Sequence, residues 1–300
     1  MIRGMVTLLR RSIRPLAVLL VLGFAAGYVI RQWDQFVLAA RTLAPLTLVL
    51  AFLGAVGYWL ALGFAWGSTQ AALGGTLSPW TAIRVWSVSA VARYVPGNIW
   101  HFAGRVVLAR SAGLDVLTTL TASAYEQVLT VAGALLVAGL FLPLAGGGGG
   151  YLLAVLAVPL GLLVFHPRLQ RWLLARSARL AGSAPPTPLS ILQLARLVPL
   201  YVLPHLAAGL ALAALGWPSG VDPLAALGAF SFAWAAGFLT LLTPGGLGVR
   251  EVTLAALLAA LSPAPEPAVL AIGHRLVLTM AEFLVALATG ASGRLAARVL

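Results

Sequence analysis

Apolar residues fill almost the whole length of this chain in long runs, the pattern of helices that cross a membrane. Runs at about 15–30, 43–66, 117–142, 150–165, 190–215 and 268–290 approach the roughly 20 residues a helix needs to cross a hydrocarbon core. They predict six crossings. Two further regions, Trp80–Ala112 and Pro223–Leu261, are apolar but interrupted. The first holds Arg84, Arg93, Arg105 and Arg110 with Pro96-Gly97 at its middle, and the second centres on Thr243-Pro244-Gly245-Gly246-Leu247-Gly248-Val249-Arg250-Glu251. Each reads as a helix–break–helix hairpin entering and leaving on one side, and the second reads equally as two full crossings. The expected fold is an all-α integral membrane protein of six to eight helices, one polytopic domain over residues 1–300.

Composition agrees. Hydrophobic residues make up 61% of the chain, charged residues 9%, and the mean hydropathy is +1.00. Soluble domains carry about 25% charged residues, so this chain has too few to cover a water-facing surface. It has no Cys, which removes disulfides, thiolate metal sites and Cys nucleophiles. All 19 basic residues are Arg, and the net charge is +12. In a soluble protein that charge would suggest nucleic acid, but here it reads as topology, because basic residues gather in cytoplasmic loops. Arg3, Arg10, Arg11 and Arg14 precede the first apolar run like a signal peptide, yet no small-residue cleavage site follows. The run is therefore expected to be an uncleaved helix with its amino end inside. Arg168, Arg171, Arg176 and Arg179 mark a cytoplasmic loop at about 166–190 that is expected to hold a short interfacial helix before Pro185-Pro186-Thr187-Pro188. Arg294 and Arg298 put the carboxyl end inside too, whereas the outer segments hold Arg31, Arg41, Gly146–Gly150 and Trp217–Pro223. A multi-pass protein of the cell inner membrane with both termini cytoplasmic is expected.

The two interrupted regions resemble each other. Pro96-Gly97-Asn98-Ile99 matches Pro244-Gly245-Gly246-Leu247 at an offset of 148, and Ala124–Thr130 matches Gly273–Thr279 at an offset of 149, which sets Glu126 against Arg275. Two repeat units follow, about 80–140 and 228–290. Glu126 is expected on a helix running outward and Arg275 on one running inward. That is the relation of inverted repeats, whose binding sites lie where the repeats meet near the bilayer midplane.

Candidate chemistry follows from the cost of charge in lipid, about 2.5–3.5 kcal/mol at a helix centre on insertion scales. Glu126, Arg275 and Glu282 each sit well inside apolar segments, and Glu282 lies two helical turns beyond Arg275 on the same face. They line a watery pathway, or else Glu126 with Arg275, or Arg275 with Glu282, forms an ion pair that only locks helices together. At the Pro-Gly breaks, freed backbone groups and a restarting helix offer N–H groups and a positive dipole end to an anion. Asn98 suits an N-cap there, and Gly246 and Gly248 permit close approach. Arg93, Arg105 and Arg250 flank the breaks as phosphate forks or as plain interface anchors, the role that also fits Arg84 and Arg110. The Gly-rich stretch has no preceding strand, so it is not a dinucleotide fingerprint. His101, His166, His205 and His274 show no metal-ligand spacing, and no nucleophile–base set stands out.

At these residues the chain resembles the lysylphosphatidylglycerol synthase transmembrane, or flippase-like, family, the membrane part of the bacterial multiple peptide resistance factor. The resemblance rests on Arg93-Tyr94-Val95-Pro96-Gly97-Asn98, Tyr125-Glu126-Gln127, the stretch Thr243 to Glu251, and His274-Arg275-Leu276. It spans nearly the whole chain. Gln127 stands where relatives often carry a basic residue. The resemblance implies translocation of an anionic phospholipid or an isoprenoid-linked lipid between leaflets. The candidate pathway residues are Arg93, Pro96, Gly97, Asn98, Arg105, Glu126, Pro244, Gly245, Gly246, Arg250, Glu251, Arg275 and Glu282. The aminoacyl-transferase domain of the fused relatives is not expected, since the sequence ends at Leu300 just after the last helix. Neither an ATP-binding motif nor a cofactor site is expected. The alternative is a membrane enzyme or accessory subunit acting on lipid-linked sugar or phosphate; a homo-oligomer or a partner membrane protein is compatible with either.

Overall fold

The computed structural model describes residues 45–94, 99–146, 166–181, 186–240, 248–262 and 267–291. Nine α-helices lie among them: α1 (Pro45–Ala72), α2 (Pro79–Ala90), α3 (Trp100–Ser111), α4 (Val116–Leu144), α5 (Pro167–Ala181), α6 (Ile191–Gly216), α7 (Pro223–Leu239), α8 (Val249–Leu261) and α9 (Pro267–Ala291). A 3-10 turn, Val91–Tyr94, extends α2, and another, Trp217–Ser219, follows α6. No strand occurs among the described residues. The helices at Pro45–Ala72, Val116–Leu144, Ile191–Ser219 and Pro267–Ala291 are long and apolar enough to cross a membrane. They coincide with four of the six expected crossings; those at 15–30 and 150–165 fall outside the described residues.

Helix starts are set locally by short polar side chains that accept otherwise orphaned N–H groups. Ser78 caps α2 through Thr81 N–H, Asp115 caps α4 through Thr118 N–H, and Asp222 caps α7 through Leu224 N–H. Ser190 and Gln193 form a reciprocal capping box at α6. Two of the described acidic residues, Asp115 and Asp222, are thus spent on helix starts outside the core.

Contacts between helices fix their directions. Thr69 hydrogen-bonds Tyr201 and Ala72 accepts from Gln193, while Gly54 abuts Ala207 and Ala211, so α1 and α6 are antiparallel. The end where α1 finishes and α6 begins also carries α5, whose Gln170 accepts from Tyr125 of α4. It is the basic end, since Arg110, Arg168, Arg171, Arg176, Arg179 and Arg196 are exposed there. Helix α4 leaves it beside α6, with Gly133 against the Tyr201 backbone. Helix α9 runs toward it, since His274 meets Ala208, Leu278 meets Trp59, Glu282 meets Tyr94 and Gly290 meets Val88 in that order. Small residues make these approaches possible, which is how helices pack where burial of apolar surface supplies no net drive.

The two interrupted regions are hairpins pointing in opposite directions. Helix α2 descends from the basic end along α1, with Ala82 and Ile83 against Gly67 and Gly63, and α3 climbs back until Leu114 touches Gly75. The second hairpin opens at the far end, where Asp222 N–H donates to Ser262 of the α8 C-cap at 3.3 Å. Its inner tip brings Gly237 of α7 against Arg250 of α8. With 12 residues each, α2 and α3 are about 18 Å long, and α8 with 13 is about 20 Å, all short of the roughly 30 Å core. Leu46, Leu53, Leu140, Leu203, Met280, Leu284 and Leu287 turn outward, giving the long helices apolar outer faces suited to lipid.

Candidate functional site

Buried and half-buried ionisable side chains gather where the hairpin tips meet α1, α4 and α9. Every pairing of Glu and Arg there joins a hairpin to a long helix. On the first hairpin, Arg105 of α3 is 1% exposed and forms an ion pair with Glu126 of α4, itself 3% exposed. Arg105 also reaches Ser89 and Ser123 at 3.2 and 3.3 Å, and its guanidinium lies 5.4 and 5.3 Å from the Trp66 and Trp86 ring centres. Trp86 donates to the other Glu126 oxygen at 2.6 Å. The carboxylate is thus held by a cation, an indole N–H and aromatic walls.

At the tip of the same hairpin, Arg93 and Tyr94 both turn to Glu282 of α9. Tyr94 donates to Oε2 at 2.8 Å, and the Arg93 Nε stands 3.2 Å from Oε1. That Nε is directed at the Ala90 carbonyl, so the contact with Oε1 is electrostatic, without hydrogen-bond alignment. Tyr94 stacks on Phe283, and the Arg93 guanidinium rests 5.0 Å from Trp59 and 5.7 Å from Trp86. Arg93 keeps 28% of its side chain exposed, which makes this the more open of the two pairs.

The second hairpin reverses the signs. Glu251 in the first turn of α8 binds Arg275 of α9 through one oxygen and accepts the Gly248 N–H through the other at 2.7 Å. Gly248 needs its φ of +86° to start the helix there, a backbone that favours glycine. Arg250 lies in the same turn, with its guanidinium 4.9 Å from the Phe230 ring centre. Its Nη2 is buried and meets no acceptor among the described residues. Tyr58 of α1 meets edge-on both Trp59 and Phe230, the rings against which Arg93 and Arg250 rest. His205 and His274 direct Nε2 at the Thr130 and Ala208 carbonyls, so each ties helices together.

Of the expected site residues, Arg93, Arg105, Glu126, Arg250, Glu251, Arg275 and Glu282 all reach this region, but not in the expected pairs. Glu126 pairs with Arg105 instead of Arg275, and Glu282 pairs with Arg93 instead of Arg275. The residues 275 and 282 are seven apart, about 10 Å along the axis, and each finds its ion-pair partner on a neighbouring helix. The N-cap of α3 is Ile99, which makes no side-chain cap hydrogen bond. Pro96, Gly97, Asn98, Pro244, Gly245 and Gly246 lie outside the described residues. Trp59, Trp66, Trp86, Tyr94, Ser89 and Ser123 were not read as site residues from sequence. The available signal was tryptophan deep inside apolar segments, away from the interfacial belts it favours.

No protein-family model matches the chain, and no curated protein matches it.

Proposed function

We propose that this protein carries an anionic phospholipid or isoprenoid-linked lipid head group between leaflets, along the seam where the two hairpins converge. The observation that carries the reading is the pair of opposed hairpins: one opens at each end, and buried and half-buried Arg and Glu side chains gather about their tips. A head group entering from either end would run along one hairpin toward the tip of the other. The opposite courses of α4 and α9, together with the sign reversal from Arg105–Glu126 to Glu251–Arg275, support inverted repeat units at about 80–140 and 228–290. Exposed arginines at one end support placing that end in the cytoplasm of a cell with this protein in its inner membrane. The same features support the flippase-like resemblance, and membership of that family is part of the proposal.

The test is reconstitution of the purified chain into vesicles holding a trace of fluorescent phosphatidylglycerol, with dithionite quenching of the outer leaflet. Vesicles containing the protein are expected to lose more than half of the signal, whereas empty vesicles plateau near one half. Equal plateaus for phosphatidylglycerol, and equally for a fluorescent polyprenyl phosphate, would reject the reading.

A further inference from the structure

We propose that Arg250 is the receptor for a single negative charge, and hence that the head group handled here is a phosphodiester monoanion and not a dianion. The proposal rests on the lipid-translocation reading for the source of the anion, and on charge pairing for its valence. Among the described residues the seam holds Arg93, Arg105, Arg250 and Arg275 against Glu126, Glu251 and Glu282. Three ion pairs cancel, and one guanidinium remains.

That guanidinium lies over the face of Phe230, and its buried Nη2 meets no acceptor among the described residues. Arg250 is half-buried as a residue, yet leaving its buried guanidinium nitrogen unpaired is costly, and such groups persist where a ligand completes them. The planar fork of arginine fits two oxygens of a phosphate. Glu251, next in sequence, cannot serve, because its oxygens are engaged by Arg275 and the Gly248 N–H. One negative charge makes the seam neutral. A second would leave it as unbalanced as it is without ligand, but with the opposite sign.

The experiment compares delipidated full-length protein in a non-ionic detergent at pH 8 with its Arg250→Gln, Arg250→Lys and Arg110→Gln variants. Arg110 is exposed and controls for loss of one charge. Thermal unfolding is followed during titration with phosphatidylglycerol (a monoanion), phosphatidic acid (largely a dianion), phosphatidylcholine (no net charge) and sodium phosphate at constant ionic strength. The wild type and Arg110→Gln are expected to bind phosphatidylglycerol at least tenfold more tightly than phosphatidylcholine or phosphatidic acid. Arg250→Gln should lose that preference and, without lipid, unfold at a higher temperature than the wild type, since the unpaired charge is gone. Arg250→Lys, which keeps the charge without the fork, should fall between them and covers the case in which Arg250→Gln does not fold.

An unchanged preference in Arg250→Gln, or equal binding of phosphatidic acid and phosphatidylglycerol by the wild type, overturns the assignment. So does sodium phosphate that reproduces the whole shift, which would make the site one for free inorganic anion. The transport assay separates the two claims. Lipid movement that survives Arg250→Gln sinks the receptor and leaves translocation standing; an Arg250-dependent lipid preference without any movement does the reverse.

Discussion

Replacing Glu126 by Gln isolates what the first buried ion pair contributes. Both side chains are almost wholly enclosed, at 1% and 4% exposure, so water cannot stand in for a missing partner. The Glu126→Gln variant keeps an acceptor for the Trp86 indole but removes the charge facing Arg105, and breaking a buried pair on one side costs about 3–5 kcal/mol. Arg105→Met strands the carboxylate instead and should cost a similar amount. In the double variant no charge is stranded. The introduced thioether lies where the guanidinium rested against Trp66 and Trp86, and Ser89 keeps its bond to the Trp86 carbonyl. The expected cost of the double variant is therefore about 0–2 kcal/mol, from the weaker hydrogen bonding of Ser123 and of the introduced amide. Chemical unfolding in one detergent, followed by far-ultraviolet circular dichroism, gives the three values. Independent sites add to within about 0.5 kcal/mol, so the expected coupling of several kcal/mol is easily resolved. A double variant as unstable as the two single variants added together would refute the pairing of Arg105 with Glu126.

Gly133→Ala places a Cβ 2.5 Å from the Tyr201 carbonyl oxygen, a backbone atom that cannot rotate away, and should destabilise by about 1–3 kcal/mol in the same unfolding assay. Among the described residues Gly57→Ala meets only the Ala207 Cβ, at 3.9 Å, and should be near neutral; equal losses at both positions would contradict the α4–α6 packing. Tyr94→Phe keeps the stack on Phe283 but removes the hydrogen bond to Glu282, for an expected loss of about 1.5–3 kcal/mol. Because the chain has no Cys, single introduced thiols report sidedness: Ser219→Cys at the far end should react with an impermeant maleimide on intact cells, and Thr187→Cys at the basic end only after lysis. The reverse pattern would invert the orientation.

Much of the architecture is legible in the sequence because it is local. The long helices follow from apolar length alone: the runs at 43–66, 117–142, 190–215 and 268–290 appear as α1, α4, α6 and α9 within a few residues, α1 excepted, which continues six residues further. The amphipathic α5 is likewise visible in the spacing of Arg168, Arg171, Arg176 and Arg179 around the buried Leu174 and Ala178. The charges that matter also announce themselves, since Glu126, Arg275 and Glu282 stand out against lipid-like surroundings whatever they touch. What sequence leaves open is which charge meets which. Glu126 and Arg275 occupy matched positions, and Arg275 and Glu282 share a face, yet each of the three takes its ion-pair partner elsewhere. Partners are chosen by the helix that packs alongside, and that choice depends on Gly63 and Gly67 letting the first hairpin approach α1 and on Gly237 letting the two arms of the second close on each other. The hairpin form of Trp80–Ala112 and Pro223–Leu261 is decided in the same way. An arm of 12, 13 or 17 largely apolar residues reads alike whether it turns back or continues, and the contacts of Leu114 with Gly75 and of Asp222 with Ser262 bring each pair of outer ends together.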